Sequence, residues 1–369
     1  MKNKYFNDAI IGNKNMVASF SKKGEMLRLF YPTTDNRQFI DFFNTGVKIN
    51  NSGLICLNED VNNTYKQYFT EDTNILNTEI FNSYFNLKIT QTDFVSIKEN
   101  VLIKKYTFKN ESKTDLDVKF LIHSQLLTSY NNYISGYFKD DILMQYAHDY
   151  TYCIFSKQNP YSYQINDNNS NINSGEIGGK DYVGMSADSS ISYDVGKISP
   201  GKEKTLDILI YINDNKDTKN IDSIIQKVEK YKKIDTKIEY EKTKKYWIDF
   251  VEEHQMLDSE KHDTEVCKKI QKIYNRGVLL FPLLTNEETG GISAAVEIDE
   301  NMSKCGRYSY CWPRDAIFIT KALDICRMEN VSEKFYKTFC KNTQLKNRNV
   351  GAKILHRWSI CTSMGLSNR

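Results

Sequence analysis

Hydrophobic residues recur at every second position through much of the first 212 residues. Apolar and polar residues alternate at 85–90, and similar short runs lie at 101–108, 118–122 and 206–212. A period of two places the apolar side chains on one face of a strand. Turn-forming residues separate the runs, as at 110–115. No helical period intervenes, so this half of the chain is predicted to be an antiparallel β-sandwich.

The hydrophobic period changes after the polar residues 214–217. From Ile221 onward the apolar residues recur at steps of three and four, while charged residues fill the opposite face up to Glu253. This pattern predicts amphipathic helices. The apolar positions of the next helix share one stripe: Val266, Ile270, Ile273, Gly277, Leu280 and Leu284.

Two further helices are predicted beyond the glycine pair Gly290-Gly291. The first starts at Asp315, a residue type that often caps helices, and its inner stripe is Ala316, Ile319, Leu323 and Cys326. The second is capped by Ser332 and runs to about Gln344.

Composition excludes several classes of protein. The 369 residues suffice for two domains, and a net charge of +3 does not favour nucleic acid or an acidic membrane as a partner. The eight cysteines form no CxxC, and the five histidines have no zinc spacing, so we expect free thiols, no metal and no cofactor. The first residues contain no signal peptide, and no apolar run reaches transmembrane length. We therefore expect a cytoplasmic protein.

Aromatic and charged residues concentrate in the segment 303–327. Tyr308 and Trp312 offer flat apolar faces, while Arg314 and Asp315 offer hydrogen-bond donors and acceptors. These groups suit a sugar, since aromatic faces pack against ring C–H groups and charged groups bond to hydroxyls. The alternative is a buried Arg–Asp pair packed under aromatic rings, without a ligand.

This segment resembles glycoside hydrolase family fifteen, the glucoamylases. The resemblance rests on Gly290-Gly-Ile-Ser-Ala-Ala295 followed by Cys305-Gly-Arg-Tyr-Ser-Tyr-Cys-Trp-Pro-Arg-Asp-Ala316. It implies that Trp312, Arg314 and Asp315 close the pocket for the non-reducing terminal glucose and that Tyr308 stacks on the same sugar. Arg314 and Asp315 are expected to bond its hydroxyls.

The resemblance also implies a multi-domain β + α architecture. Residues 1–215 are expected to form an N-terminal antiparallel β-sandwich, or supersandwich, and 216–260 a helical linker. Residues 261–344 would supply the first helices of an incomplete (α/α)6 six-hairpin barrel, and 345–369 an aberrant tail. Because so few barrel helices leave apolar stripes uncovered, we expect poor solubility or disorder beyond about residue 260.

Other candidate residues have simpler interpretations. The aromatic group Phe30, Tyr31, Phe39, Phe42 and Phe43 is interpreted as core or domain interface rather than as a carbohydrate platform. His123 and His148 are not framed by a nucleophile, so a catalytic role is not favoured. Three carboxylates before the tryptophan match no acid or base of the family and are rejected as catalytic residues: Glu297, Asp299 and Glu300.

The last stretch of the sequence departs from the family pattern. No Asp or Glu occurs after Glu333, and residues 345–369 have no helical period. Residues 351–369 can be encoded by codons that, read one base later, give EQRFYTDGQFAPAWGYQID, which resembles the family's next segment. We interpret this as truncation by a frameshift between Thr343 and Gly351, rather than as a basic tail for a partner.

The family hydrolyses terminal α-glucosidic bonds with inversion, using two glutamates as acid and base. The resemblance places both downstream of these residues, so the chain as given contains no catalytic residue and is expected to be inactive. We predict a glucoamylase-like glycosidase of α-glucans or maltooligosaccharides. The alternatives are a trehalase or disaccharide phosphorylase on the same scaffold, or a non-catalytic glycan-binding protein. The oligomeric state does not follow from the sequence.

Overall fold

The computed structural model describes most of the chain, namely residues 6–34, 38–127, 135–146, 149–166, 172–179, 188–254, 264–298 and 309–343. Within these ranges the first half consists of antiparallel sheets, and helices follow from Ile221 onward. The prediction of an antiparallel β-sheet region is therefore confirmed. The predicted runs at 101–108, 118–122 and 206–212 each lie inside a strand.

Two large sheets share the main core. The first has five strands in the spatial order β14 (Ser162–Ile165), β15 (Ser189–Ile198), β10 (Leu116–Leu126), β4 (Ile40–Ile49) and β5 (Leu54–Cys56). The second has eight, in the order β11 (Ser135–Lys139), β12 (Ile142–Tyr146), β13 (Tyr150–Phe155), β16 (Glu203–Asp214), β9 (Val101–Asn110), β8 (Leu87–Val95), β7 (Leu76–Asn82) and β6 (Asn63–Phe69). Every pair of neighbouring strands in both sheets is antiparallel.

Alternation along the strands builds this core. Phe120 of β10 packs against Tyr106 and Phe108 of β9, with ring centroids 4.5 and 5.9 Å apart. Phe30, Phe39 and Phe43 are also buried, which confirms them as core residues. The alternative of a carbohydrate platform is wrong for these three rings, since a buried face cannot reach a sugar.

The core also encloses an ion pair. Lys104 Nζ lies 2.6 Å from Asp93 Oδ1, and both side chains are buried. Lys104 lies over the Phe20 ring, at 4.9 Å from its centroid, and Gln91 donates to the other oxygen of Asp93. Burial raises the pKa of Asp93 and lowers that of Lys104, because a low-dielectric interior disfavours both charges.

A small sheet and two helices connect the sandwich to the rest of the chain. The sheet has three strands, β1 (Ala9–Gly12), β2 (Val17–Phe20) and β3 (Met26–Phe30). Helix α1 (Ile221–Lys232) starts at the Asn220 cap and packs Ile224 and Val228 on the outer face of the eight-stranded sheet. Helix α2 (Thr236–Glu253) packs Trp247 and Val251 against the small sheet.

Three more helices pack around a separate apolar cluster. They are α3 (Glu265–Leu284), α4 (Pro313–Ile325) and α5 (Glu329–Lys334), and a π-helical segment, Phe335–Cys340, continues α5. Ala316, Leu323 and Cys326 are buried in this cluster, as the inner stripe of α4 predicted. The described ranges thus contain five α-helices, and their assignment to an incomplete (α/α)6 barrel stays a prediction.

The structure corrects the predicted cap of α5 and shows which part of the α3 stripe is covered. Ser332 lies inside α5 instead of capping it, because Arg327 adopts a left-handed φ of 58° and ends α4 in a tight turn that lets α5 begin at Glu329. The first half of the α3 stripe faces outward: Val266, Ile270 and Ile273 are exposed, whereas the buried face is Val278, Leu279 and Leu283. Within the described ranges, no element covers the outward face.

Candidate functional site

The candidate residues lie at the N-terminal end of α4. Trp312 is the cap position, and its carbonyl accepts a hydrogen bond from the amide of Ala316 at 2.8 Å. Pro313 occupies the first helical position, which its fixed φ angle suits. Arg314 and Asp315 follow in the first turn, so Asp315 does not start the helix as predicted. The local sequence thereby brings Trp312, Arg314 and Asp315 to one helix end.

Arg314 and Asp315 form an accessible pair. Arg314 Nε lies 3.1 Å from Asp315 Oδ1, and the two side chains are 83% and 41% exposed. The alternative of a buried ion pair is therefore wrong. Since exposed pairs contribute little to stability, the two groups do not hold the helix in place. They present a planar donor group and a carboxylate where a ligand can reach both.

The segment before the helix is held by a short turn. Thr285 pairs with Ile292, and the amide of Asn286 donates to the carbonyl of Gly291 at 2.9 Å. Gly290 has φ +77°, and a Cβ atom there would lie 2.7 Å from the carbonyl group of Lys334. Only glycine fits this close approach to the end of α5.

This turn is joined to the candidate site through the backbone. The amide of Ala294 donates to the carbonyl of Tyr310 at 3.1 Å, two residues before Trp312. Cys311 is buried beside Ile292 in the cluster of α3, α4 and α5. Burial raises the pKa of the Cys311 thiol to about 12, so this thiol is protonated near neutral pH and is a packing group rather than a nucleophile.

The small sheet and the residues after it contribute two contacts that sequence reasoning missed. Arg28 Nη2 donates to the carbonyl of Ile298 at 2.7 Å, and the hydroxyls of Thr34 and Ser293 are 2.8 Å apart. The partners of the first bond are 270 positions apart in the sequence. An arginine inside the apolar strand Met26–Phe30 is the only local signal that such a contact exists.

The structure describes only two of the other sequence candidates, Glu297 and His123. Tyr308, Asp299, Glu300 and His148 lie outside the described ranges. Glu297 is half-buried in the segment 293–298, between the turn and α4.

His123 lies elsewhere, on β10. Its Nε2 is 2.6 Å from Asp188 Oδ2, and its ring packs on Phe42 with centroids 4.6 Å apart.

Among the described residues there is no metal-binding cluster, no disulfide and no helix suited to crossing a membrane. No group of three or more His, Cys, Asp or Glu side chains is arranged to hold a metal ion there. The six cysteines within these ranges are free thiols. Among the helices that the structure describes, none has both the length and the apolar composition needed to cross a membrane.

Comparisons with known proteins indicate a glycoside-hydrolase-like fold. No protein-family model matches the sequence. An uncharacterized glycosyl hydrolase of Methanocaldococcus jannaschii is 25% identical over 349 residues, which cover 90% of this chain and 52% of that protein.

Solved structures extend this comparison. A bacterial glucoamylase complexed with acarbose superposes with a TM-score of 0.76 at 12% identity, over 96% of this chain and 52% of that one. A protein from the human microbiome described as a kojibiose phosphorylase superposes with a TM-score of 0.63 at 11% identity, over 95% of this chain and 49% of that one.

These likenesses establish the fold. The chain has a glycoside-hydrolase-like scaffold in which an antiparallel β-sheet region, similar to that of the glucoamylase, precedes helices. At identities of 11–12% the two solved structures show the fold alone. The chain spans about half the length of the relatives that it matches.

Proposed function

We propose that this chain is part of a glucoamylase-type glycoside hydrolase that acts on terminal α-glucosidic bonds of α-glucans or maltooligosaccharides. The observation that carries the proposal is the exposed Arg314–Asp315 pair, which follows Trp312 and Pro313 at the start of a helix on a glucoamylase-like fold. The similar glucoamylase was solved with acarbose, which supports a glucan-type ligand here.

Each group has a role in holding the sugar. Arg314 donates to hydroxyls through its planar guanidinium, and Asp315 accepts from them. Trp312, together with Tyr308, lines the faces of the terminal glucose. These groups orient the sugar but supply no acid or base at the scissile bond. General acid–base catalysis is worth roughly 10²–10⁴-fold, so residues 1–369 by themselves are proposed to be inactive.

The domain organisation is part of the same proposal. Residues 1–215 form the sandwich, 216–260 the linker and 261–344 the first helices of the barrel, with 345–369 as a tail produced by a frameshift. The outward apolar face of α3 supports this division, because Val266, Ile270 and Ile273 recur at barrel-helix spacing yet are exposed. Further barrel helices would cover this face and contribute the acid and the base of an inverting mechanism.

The test compares residues 1–369 with a protein whose reading frame has been restored after about residue 343. The restored protein is expected to release glucose from maltotriose, whereas residues 1–369 release none. Arg314→Lys in the restored protein should lower kcat/KM by roughly 10–100-fold, because a lysine cannot reproduce the planar donor group. Glucose release by purified residues 1–369 contradicts the proposal. So does a gene whose codons for 351–369, read one base later, do not encode the family's next segment.

A disaccharide phosphorylase is the second candidate. It is favoured by one observation, the superposition of the kojibiose phosphorylase over 95% of the chain. The same assay separates the candidates when it is run with and without phosphate. A hydrolase forms free glucose in both conditions, whereas a phosphorylase forms glucose 1-phosphate and depends on phosphate.

A further inference from the structure

Arg28 is a buried cation in an apolar strand. The other residues of Met26–Phe30 are apolar, and every one of the five is buried. Arg28 itself is 0% exposed. An isolated charge in such a position is strongly unfavourable unless hydrogen bonds compensate it. The structure supplies them: Nη1 donates to Asn7 Oδ1 at 2.9 Å and Nη2 donates to the carbonyl of Ile298 at 2.7 Å.

The Ile298 bond links two parts of the protein. Arg28 belongs to the small sheet. Ile298 is the last residue of the segment 293–298, which precedes the proposed sugar-binding residues in the sequence. A second bond reaches the same segment, between the hydroxyls of Thr34 and Ser293 at 2.8 Å. The side chains of Val296 and Ile298 pack in the same cluster as Val17 of the small sheet. The small sheet and the residues after it therefore hold the segment 293–298 through both polar and apolar contacts.

The contacts continue from this segment to the site. The amide of Ala294 donates to the carbonyl of Tyr310 at 3.1 Å, and the hydroxyl of Ser293 reaches the carbonyl of Ser309 at 3.5 Å. Trp312 lies only two residues beyond Tyr310. An unbroken series of hydrogen bonds and peptide bonds thus leads from the small sheet, through 293–298, to the first turn of α4.

We propose that Arg28 is a positioning residue of the sugar-binding site. From the small sheet it fixes the segment 293–298, and this segment fixes the backbone that carries Trp312, Arg314 and Asp315. The sugar-binding role of this site rests on the proposed function, whereas the link from Arg28 to the start of α4 rests on the hydrogen bonds described above. A hydrogen bond to a charged group is worth enough to change a local opening equilibrium by roughly 10–100-fold.

Lys104 provides a matched control. It is also a cation buried in the sandwich, but its hydrogen-bond partner is Asp93 on the neighbouring strand. Replacing either residue by Met removes a buried charge and keeps an unbranched side chain. Only the replacement of Arg28 removes a contact with the segment 293–298. Comparing the two variants therefore separates a local effect from general destabilisation.

The experiment measures backbone hydrogen exchange by mass spectrometry on the full 369-residue chain without added sugar. Arg28→Met is expected to speed exchange by roughly 10–100-fold in 293–298 and 309–316, with β8, β9 and β10 unchanged. Arg28→Lys should restore part of the protection, since lysine can still donate one bond to Ile298. Lys104→Met should speed exchange in β8 and β9 first.

A second variant tests the link if Arg28→Met does not fold. Thr34→Val keeps the side-chain shape and removes only the hydroxyl, so it should speed exchange in 293–298 and 309–316 by a few-fold. Unchanged exchange in these segments for both variants overturns the proposal, and so does acceleration spread evenly over the sandwich strands. Because no sugar is present, failure of the proposed function leaves this result intact.

Discussion

The sandwich and the helical region bury their apolar surfaces to different extents. In the sandwich even the polar side chains of the Lys104–Asp93 pair are fully enclosed, and the large rings around them are buried. In the helical region, Ile273 of α3 is 73% exposed and Phe318 of α4 is 68% exposed. In both regions the period of the apolar residues predicted the strands or helices. Only in the sandwich does the described structure supply a partner for most of that surface.

The difference shows that a periodic apolar stripe predicts a helix but not what covers it. Helices α3 and α4 bury one face in a shared cluster that includes Val278, Leu323 and Phe339. Large apolar patches on the surface of a protein usually mark an interaction site. We attribute the outward faces to contacts with further barrel helices, as proposed above. Substitutions at four positions test this difference between the two regions: Lys104, Leu279, Ile273 and Asn220.

The largest effect is expected from Lys104→Met. The substitution leaves Asp93 buried without its cation, and breaking a buried pair in this way lowers the free energy of unfolding by about 3–5 kcal/mol. Urea denaturation followed by far-UV circular dichroism measures the change. The double variant Lys104→Met/Asp93→Leu removes both charges and should recover most of the stability. A single variant within about 1 kcal/mol of the wild type would show that the pair is not enclosed in solution.

The next effect compares two faces of α3. Leu279→Ala deletes a buried side chain that packs against α2 and the small sheet, and should lower the free energy of unfolding by about 2–5 kcal/mol. Ile273→Ala changes an exposed position on the same helix and should alter it by at most about 0.5 kcal/mol in residues 1–369. Thermal and urea denaturation of the two variants measure the contrast.

The same pair of variants tests the proposed barrel. In the frame-restored protein, Ile273 would be covered by a neighbouring helix, and Ile273→Ala should then destabilise by about 2–5 kcal/mol, like Leu279→Ala. An Ile273→Ala variant that is neutral at both chain lengths would mean that this face is not a barrel interface. Equal destabilisation at both lengths would mean that something already covers it in residues 1–369.

The sequence predicted the parts of the fold that depend on local spacing. The alternation at 118–122 identified β10, and the stripe of Ala316, Leu323 and Cys326 identified the buried face of α4, because burial follows the period of each element. The start of α5 was mispredicted, since it depends on the left-handed turn at Arg327 and not on the capping chemistry of Ser332.

For the site, the sequence predicted that Trp312, Arg314 and Asp315 lie together. It did not predict the contacts from Arg28 and Thr34 that hold the preceding segment. The motif is contiguous, so its residues share one helix end whatever the rest of the chain does. The bond from Arg28 to Ile298 spans 270 positions, and periodicity carries no information over such a distance. The exposure of Arg314 depends on what the rest of the fold leaves uncovered. Residue chemistry alone therefore could not decide between a sugar-binding pair and a buried ion pair.

The smallest effect concerns α1, which lies between the sandwich strands and α3 along the chain. Asn220 caps α1 by accepting from the amides of Asp222 and Ser223, at 2.9 and 3.2 Å. Asn220→Ala removes both bonds and should lower the free energy of unfolding by about 0.5–2 kcal/mol, while Asn220→Ser, which can still cap, should stay close to the wild type. Because α1 packs Ile224 and Val228 on the eight-stranded sheet, we expect the loss in the sandwich transition. Hydrogen exchange would locate it, and faster exchange confined to α3 and α4 would instead assign the linker to the helical region.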